Sequence, residues 1–434
     1  MDKLNHFSNI DSNVIRKAAE KYGSPIYLYD EKVVIDKCGF LQSIPHAYGL
    51  TVRYAMKANS TRALLKIIGS QGLKIDASSM NEARRALMAG IPFEDIMLTT
   101  QEVPLDQDKQ ELESMIKKGL KYNVCSLRQL QNIENFAEEN DIRLAVRVHP
   151  GIGSGASLTR NTGDKYSCFG VHLSDIGQLL EYADNRRLIF DHVHVHIGSG
   201  ADPEIWRNNI DLELGIVEKY FPDAQTVSFG GGIREARMPY ENPVDIHELG
   251  EYAKDKIERF YEKTNRRLKA EIEPGNFVVA NAGFIVTKVI DKKRTGYDGF
   301  NFIVLNGGME LNARTLIYAA SHPFYVVSWK GELLYSEFGE KDDSGYQAVL
   351  VGRCCESGDS QCLTPSGFSV PRKIAEPEIG DFVVIGGTGA YCSTMSPMNY
   401  NSHVQAPEIL YTRSLMLKEI RSKQTLEQLI ANEI

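Results

Sequence analysis

A lysine at the end of an apolar segment is usually a solvated cation, but it can also be a nucleophile. The stretch "RYAMKANS" (53–60) puts Lys57 in that position. An amine held there in a partly desolvated pocket can condense with a carbonyl. Other polar residues stand at comparable segment ends. Asp76 closes "LKID", His196 and Ser199 close "IFDHVHVHIGS", Gly230, Gly231 and Gly232 follow "TVSF", and Glu273 follows "KAEI". Singly, each has an ordinary reading. His192, His194 and His196 alternate, so they share a strand face and suit hydrogen-bonded core histidines. Zinc also takes alternating histidines, but no cysteine pair or carboxylate in the sequence completes such a set, so no metal is expected.

Short branched-apolar segments begin near residues 50, 73, 95, 121, 143, 189, 226 and 269. Amphipathic stretches such as "TRALLKIIGSQG" and "DQDKQELESMIKKG" lie between them, with apolar spacing i, i+3, i+4 and a closing glycine. Repeated strand–helix alternation predicts an α/β fold, a (β/α)8 TIM-like barrel. An open doubly wound sheet alternates similarly. It is disfavoured because no GxGxxG or GxxxxGK[ST] follows the first strand, and because the polar residues sit at many strand ends. Beyond about residue 280, "FIVTKVIDKKRT", "NFIVLNGG", "PFYVVSW", "YQAVLVG" and "GDFVVIGG" predict a mostly antiparallel β domain. The segment "EILYTRSLMLKEIRSKQTLEQLI" reads as helical, and "SPIYLYD" is expected to return as an extra strand. The expected domains are therefore residues 30–280 and 281–434, the latter joined by 1–29.

The chain has 434 residues, enough for two domains, and an ordinary hydrophobic fraction of 42%. Its net charge of -8 argues against nucleic-acid binding, since no basic excess exists to neutralise phosphates. There is no apolar run of membrane-spanning length and no secretory h-region, so a cytoplasmic protein is expected. The seven scattered cysteines then read as reduced thiols.

Together the strand-end residues have one chemical meaning. A lysine for an imine, backbone N–H groups for a phosphate, a ring to stack on a flat heteroaromatic and a carboxylate for a pyridine nitrogen describe a pyridoxal 5'-phosphate pocket. The sequence resembles the fold-type III pyridoxal phosphate decarboxylases, which share the alanine racemase-like barrel and β domain and are also called group IV decarboxylases. The resemblance runs from about Pro25 to Tyr411. "YAMKAN" is similar to the family's cofactor-lysine motif, implying that Lys57 holds the cofactor covalently. "HVHIGSG" implies His196 stacked on the ring and Ser199 on the phosphate. "FGGGI" maps Gly230, Gly231 and Gly232 onto the phosphate loop. "EPGN" resembles EPGR and implies Glu273 against the pyridine nitrogen, with Gly275 beside it. Asp76 and Glu82 match positions that support the lysine and ring. "CESGD" implies Cys355 as the proton donor reaching into a partner subunit's site and Glu356 on the substrate's distal amine. "GAYCSTM" implies Tyr391 on cofactor phosphate and substrate.

Within the family, "GGMELNARTLIYAASHP" resembles the diaminopimelate enzymes, where an arginine and a tyrosine four residues later, here Arg314 and Tyr318, grip the distal carboxylate. The resemblance thus implies decarboxylation of meso-diaminopimelate to L-lysine in a homodimer with shared sites. Three departures bear on the substrate. Asn276 stands where EPGR has an anion-binding arginine, Cys168 replaces a lysine, and Arg353 and Cys354 replace a proline and a neutral residue; Arg353 offers a compensating charge. The alternatives are a sister decarboxylase for another amino acid (a siderophore precursor, carboxynorspermidine, D-ornithine or D-lysine), an alanine racemase-like enzyme, and a non-catalytic relative. The racemases lack "CESGD", and retention of Lys57 and Cys355 opposes the last.

Overall fold

The structure is a computed structural model that describes residues 11–155, 162–200, 202–339 and 345–434. Two compact units result: residues Ile35–Arg234 with Pro243–Phe277, and residues Met1–Val34 with Glu235–Asn242 and Val278–Ile434. The segment Glu235–Asn242, inside the stretch expected for the barrel, clusters with the second unit.

The first unit is the eight-stranded parallel barrel. Its strands are Leu50–Ala55, Lys74–Ala77, Ile96–Thr99, Lys121–Val124, Arg143–His149, Ile189–Val195, Thr226–Ser228 and Lys269–Ile272. Each pairs in parallel with the next, and Lys269–Ile272 closes the ring on Leu50–Ala55. Parallel strands covered by helices are buried on both faces, and three of the strands, Ile96–Thr99, Thr226–Ser228 and Lys74–Ala77, carry almost no exposed position. The interior holds charge as well. The Arg53 guanidinium in the first strand donates from Nε to Glu271 Oε2 at 2.8 Å, and His192 Nε2 lies 3.4 Å from the other Glu271 oxygen. Helix starts are capped locally. The Ser79 hydroxyl accepts from the Glu82 N–H while Glu82 Oε2 accepts from the Ser78 N–H at 2.7 Å.

The second unit is built on a sheet in the order Leu333–Ser336, Phe324–Val327, Phe382–Gly386, Gly283–Arg294, Ile26–Asp30, Glu408–Tyr411, Leu417–Arg421. Beyond a register shift near Val289, the long strand Gly283–Arg294 pairs instead with Asn301–Leu305, which continues to Gln347–Val351. All the pairings are antiparallel except Ile26–Asp30 with Glu408–Tyr411 and Asn301–Leu305 with Gln347–Val351. Strand Ile26–Asp30 is the expected N-terminal return, and Ile26, Leu28, Phe284, Val286, Val384 and Ile409 form part of the core. The C-terminal segment corrects the sequence reading. Residues 408–421 form a hairpin, Leu415 turning it at a φ of 61°, and helix follows only at Leu426–Leu429. The i, i+3, i+4 pattern there came from a strand–turn–strand whose spacing mimics a helix. Among the described residues no helix is long and apolar enough to cross a membrane.

Candidate active site

Lys57 leaves the first barrel strand in a single 3₁₀ turn, Met56–Ala58. It is exposed while its neighbours Met56 and Ala58 are fully buried. Two contacts tie the turn down. The Tyr54 hydroxyl donates to the Asn59 carbonyl at 2.9 Å, and the Ala55 N–H donates to the Pro274 carbonyl at 3.2 Å. Gly275 permits that approach, since a Cβ there would lie 3.0 Å from the Ala55 oxygen and 3.1 Å from Ala58 Cβ. The loop carrying Glu273 is thereby packed against the turn carrying Lys57.

Glu273 is buried, and its two oxygens face different groups. Oε1 accepts from the Ser228 hydroxyl at 3.0 Å, and Oε2 lies 3.2 Å from His194 Nε2. Burial alone would raise this carboxyl, but His194, His196 and Ser228 outweigh it and hold it well below the usual range. Burial pushes His194 itself down, and Glu273 pulls it back up. The arrangement suits both groups. Asn123 Nδ2 lies 3.0 Å from His194 Nδ1, which places the ring proton on Nε2, facing an ionised Glu273. Asp76, at the end of the second strand, goes the other way. Burial and then Glu273 raise its carboxyl, against the pull of Lys57 and Thr99, and its Oδ1 is buried without a hydrogen bond.

The glycine run packs closely. A Cβ on Gly230 would sit 2.5 Å from the Val195 oxygen, on Gly231 2.3 Å from the Glu273 oxygen, and on Gly232 1.9 Å from the Gly198 oxygen. The Gly231 N–H donates to His196 Nδ1 at 3.2 Å, which orients that ring at the strand end. Ser199 lies half-buried in the two-residue strand Gly198–Ser199. This unit thus brings Lys57, Asp76, His196, Gly230–Gly232 and Glu273 to the C-terminal ends of the strands, where barrels place their sites. Glu82 is committed to its helix start, and sequence reasoning did not foresee the orienting roles of Asn123 and His194 on Glu273.

The second unit carries the remaining predicted residues. Arg314 begins the short helix Arg314–Tyr318; its guanidinium lies 5.8 Å from the Tyr318 ring and 5.9 Å from the Tyr391 ring. Its buried Nε has no hydrogen bond, and no carboxylate of the described residues pairs with it. Cys355 and Glu356 are exposed on a loop. The Cys355 N–H donates to Asn401 Oδ1 at 2.7 Å, and Asp359 accepts from the Cys354 and Met309 N–H groups at 2.7 and 2.6 Å. Glu356 accepts from the Gly358 N–H, the Ser357 hydroxyl and the Tyr400 hydroxyl, which lower its carboxyl. Arg353 donates from Nε to buried Glu310 at 3.0 Å. Glu310, Cys354 and Asp359 cluster closely enough for a metal, but protein donors occupy both carboxylates.

The family described as pyridoxal-dependent decarboxylase, pyridoxal binding domain, matches residues 39–280. The chain belongs to the pyridoxal-dependent decarboxylases. Over its whole length this decarboxylase is 30% identical across 429 residues to diaminopimelate decarboxylase of Escherichia coli K12, covering 97% of this chain and 96% of the relative. It is 29% identical to that of Buchnera aphidicola subsp. Baizongia pistaciae, covering 97% and 96%. A crystal structure of a diaminopimelate decarboxylase superposes with a TM-score of 0.85 at 28% identity, covering 99% of both chains.

Pyridoxal phosphate is the cofactor this membership implies, and the residues fit it. The barrel presents an ionised buried carboxylate, a lysine within electrostatic reach of Asp76, and a buried Asp76 Oδ1 without a hydrogen bond.

Proposed function

We propose that this decarboxylase converts meso-diaminopimelate to L-lysine and carbon dioxide. The carrying observation is Arg314: a buried guanidinium flanked by two tyrosines, with no carboxylate of its own protein to neutralise it. A buried charge without a partner is costly, so the natural occupant is an anionic group of the substrate remote from the reacting carbon. A diamino acid such as ornithine brings no such group, and diaminopimelate decarboxylases are among the relatives to which the chain is similar over nearly its full length.

In this reading Lys57 would hold the cofactor covalently through its amine. Ser199, the Gly230–Gly232 backbone and Tyr391 would hold the phosphate, and His196 would cover the ring. Pyridoxal phosphate, when bound, supplies an electron sink for the pair left by the broken C–C bond. Glu273, kept ionised by its donors, would keep a proton on the pyridine nitrogen, and Asp76 would support it. Tyr318 joins Arg314 at the distal carboxylate, and Glu356 takes the distal amine. Cys355 of the partner subunit gives its thiol proton to the carbon that has lost carbon dioxide, so that one C–H bond replaces one C–C bond. We infer a homodimer with shared sites, working in the cytoplasm.

A second reading is favoured by Asn276, which stands where the family motif has an arginine: a sister decarboxylase whose substrate carries a different distal group. Carbon dioxide release from the cofactor-loaded protein separates them, with meso-diaminopimelate, L-lysine, L-ornithine and D-ornithine offered singly. Release from meso-diaminopimelate alone is expected; release only from another amino acid would replace the first reading by the second.

A further inference from the structure

One buried cation of the barrel has no part in the site described above. Arg147 stands near the end of the strand Arg143–His149 and is 6% exposed. The parallel register sets it beside His194, and sets Ala145, two residues earlier, beside Asn123. Residues in register on parallel strands share a face, so Arg147 points into the barrel with His194 and Asn123, the pair that serves Glu273. The chain then folds back over it. The Arg147 guanidinium lies 5.0 Å from the centre of the Phe169 ring. A Cβ on Gly170, whose φ is +91°, would lie 2.8 Å from the Arg147 carbonyl oxygen and 3.0 Å from its Cγ. Only glycine lets the segment after Phe169 close on the arginine.

No acid neutralises this charge. Nε is buried without a hydrogen bond, and no carboxylate of the described residues forms an ion pair with the guanidinium. The Phe169 ring offers only its quadrupole, which is worth less than a counter-ion. Neighbours inside the barrel feel the charge. After burial, Arg147 is the largest influence pushing His196 down, and it draws the Cys125 thiol down against its burial. A buried arginine without an acid is completed when a ligand brings the anion. Pyridoxal phosphate carries four polar groups, and in the reading above three of them have partners. Lys57 takes the aldehyde, Glu273 the pyridine nitrogen, and the Gly230–Gly232 backbone the phosphate. The ring oxygen, a phenolate when ionised, is left.

We propose that Arg147 binds the ionised ring oxygen of pyridoxal phosphate. This rests on the cofactor and not on the choice of substrate. It gives the barrel a second charged contact to the cofactor ring, beside Glu273, from a residue outside the motifs that resemble the family.

The test needs no turnover. The full chain, freed of cofactor, is titrated with pyridoxal phosphate and with its ring-oxygen methyl ether, which cannot ionise. Absorbance gives dissociation constants for wild type, Arg147→Met and Arg147→Lys. Wild type should prefer pyridoxal phosphate, and that preference should shrink by about tenfold to a hundredfold in R147M, the loss of one charge-assisted contact. R147K keeps the charge but not the fork, so it falls between. Melting temperatures add a signature that a purely structural arginine lacks. Without cofactor, R147M melts at or above wild type, because an unneutralised buried charge is gone, yet pyridoxal phosphate raises its melting temperature less. Equal binding of the two cofactors by wild type overturns the proposal, and so does an undiminished preference in R147M. An R147M protein that cannot fold without cofactor overturns it too, since the arginine is then structural. If the preference behaves as expected but meso-diaminopimelate is not turned over, the substrate reading fails and the Arg147 contact stands.

Discussion

At Glu273 three weak contacts decide a strong effect. Removing a carboxylate from water favours its protonated form, yet His194, oriented by Asn123, together with His196 and the Ser228 hydroxyl, stabilises the charge enough to reverse that preference. If Glu273 retains the pyridine proton, Glu273→Gln should lower kcat by about a hundredfold or more, while cofactor absorbance shows that loading persists. A kcat within threefold of wild type would remove Glu273 from that role. Glu213 shows the opposite balance. It is fully buried on the helix Pro203–Tyr220, and neither oxygen has a well-formed hydrogen bond. Burial and then Glu273 raise its carboxyl well above 4.5, and a Val195 backbone contact offsets only part. A raised folded pKa means that the group's stabilisation is complete below its unfolded value and is lost as pH rises through the folded value. Glu213→Gln should therefore stabilise the protein at pH 8 by about 1 kcal/mol or more relative to its effect at pH 5. Urea unfolding at both pH values measures this, and equal shifts at the two would contradict it.

Elements show which physics a sequence displays and which it hides. All eight barrel strands were legible, because parallel strands are buried on both faces and read as short apolar runs between amphipathic helices. The strand-end positions of Lys57, Asp76, His196 and Glu273 were legible for the same reason. The hairpin over residues 408–421 was not, because its buried inner strand, turn and outer edge strand together share the spacing of a helix face. Arg147 was hidden too, since its cover by Phe169 and its lack of a carboxylate partner show only in the fold. Glycines likewise look alike in sequence and differ in place. Gly232 has a φ of +91°, and its Cβ would lie 1.9 Å from the Gly198 carbonyl, whereas a Cβ on helical Gly215 would meet nothing within 4 Å. Gly232→Ala should cost about 3 kcal/mol or more, and Gly215→Ala should gain up to about 1 kcal/mol. Denaturant midpoints decide, and similar costs at the two positions would show that the close approach at Gly232 is not limiting.

At the scale of the whole molecule, the proposed chemistry makes a demand on assembly. Lys57 stands in the barrel unit, and Cys355 is exposed on a loop of the other unit, its backbone fixed by Asn401 and its neighbour Cys354 by Asp359. An exposed thiol gives a proton selectively only if something covers it, and in the proposed homodimer that cover is the partner's barrel. Lys57→Ala and Cys355→Ala should then each be nearly inactive alone, with kcat reduced by roughly a hundredfold or more. Mixed, partly unfolded and refolded together, they should recover activity. Random pairing makes half of the dimers mixed, and each mixed dimer joins one intact Lys57 to one intact Cys355, so about a quarter of the wild-type activity should return. Recovery requires residues from two chains in one site, which no monomeric arrangement supplies. If sedimentation shows that the variants do form mixed dimers and activity still does not return, then Lys57 and Cys355 act from the same chain, and the shared-site reading of this decarboxylase fails.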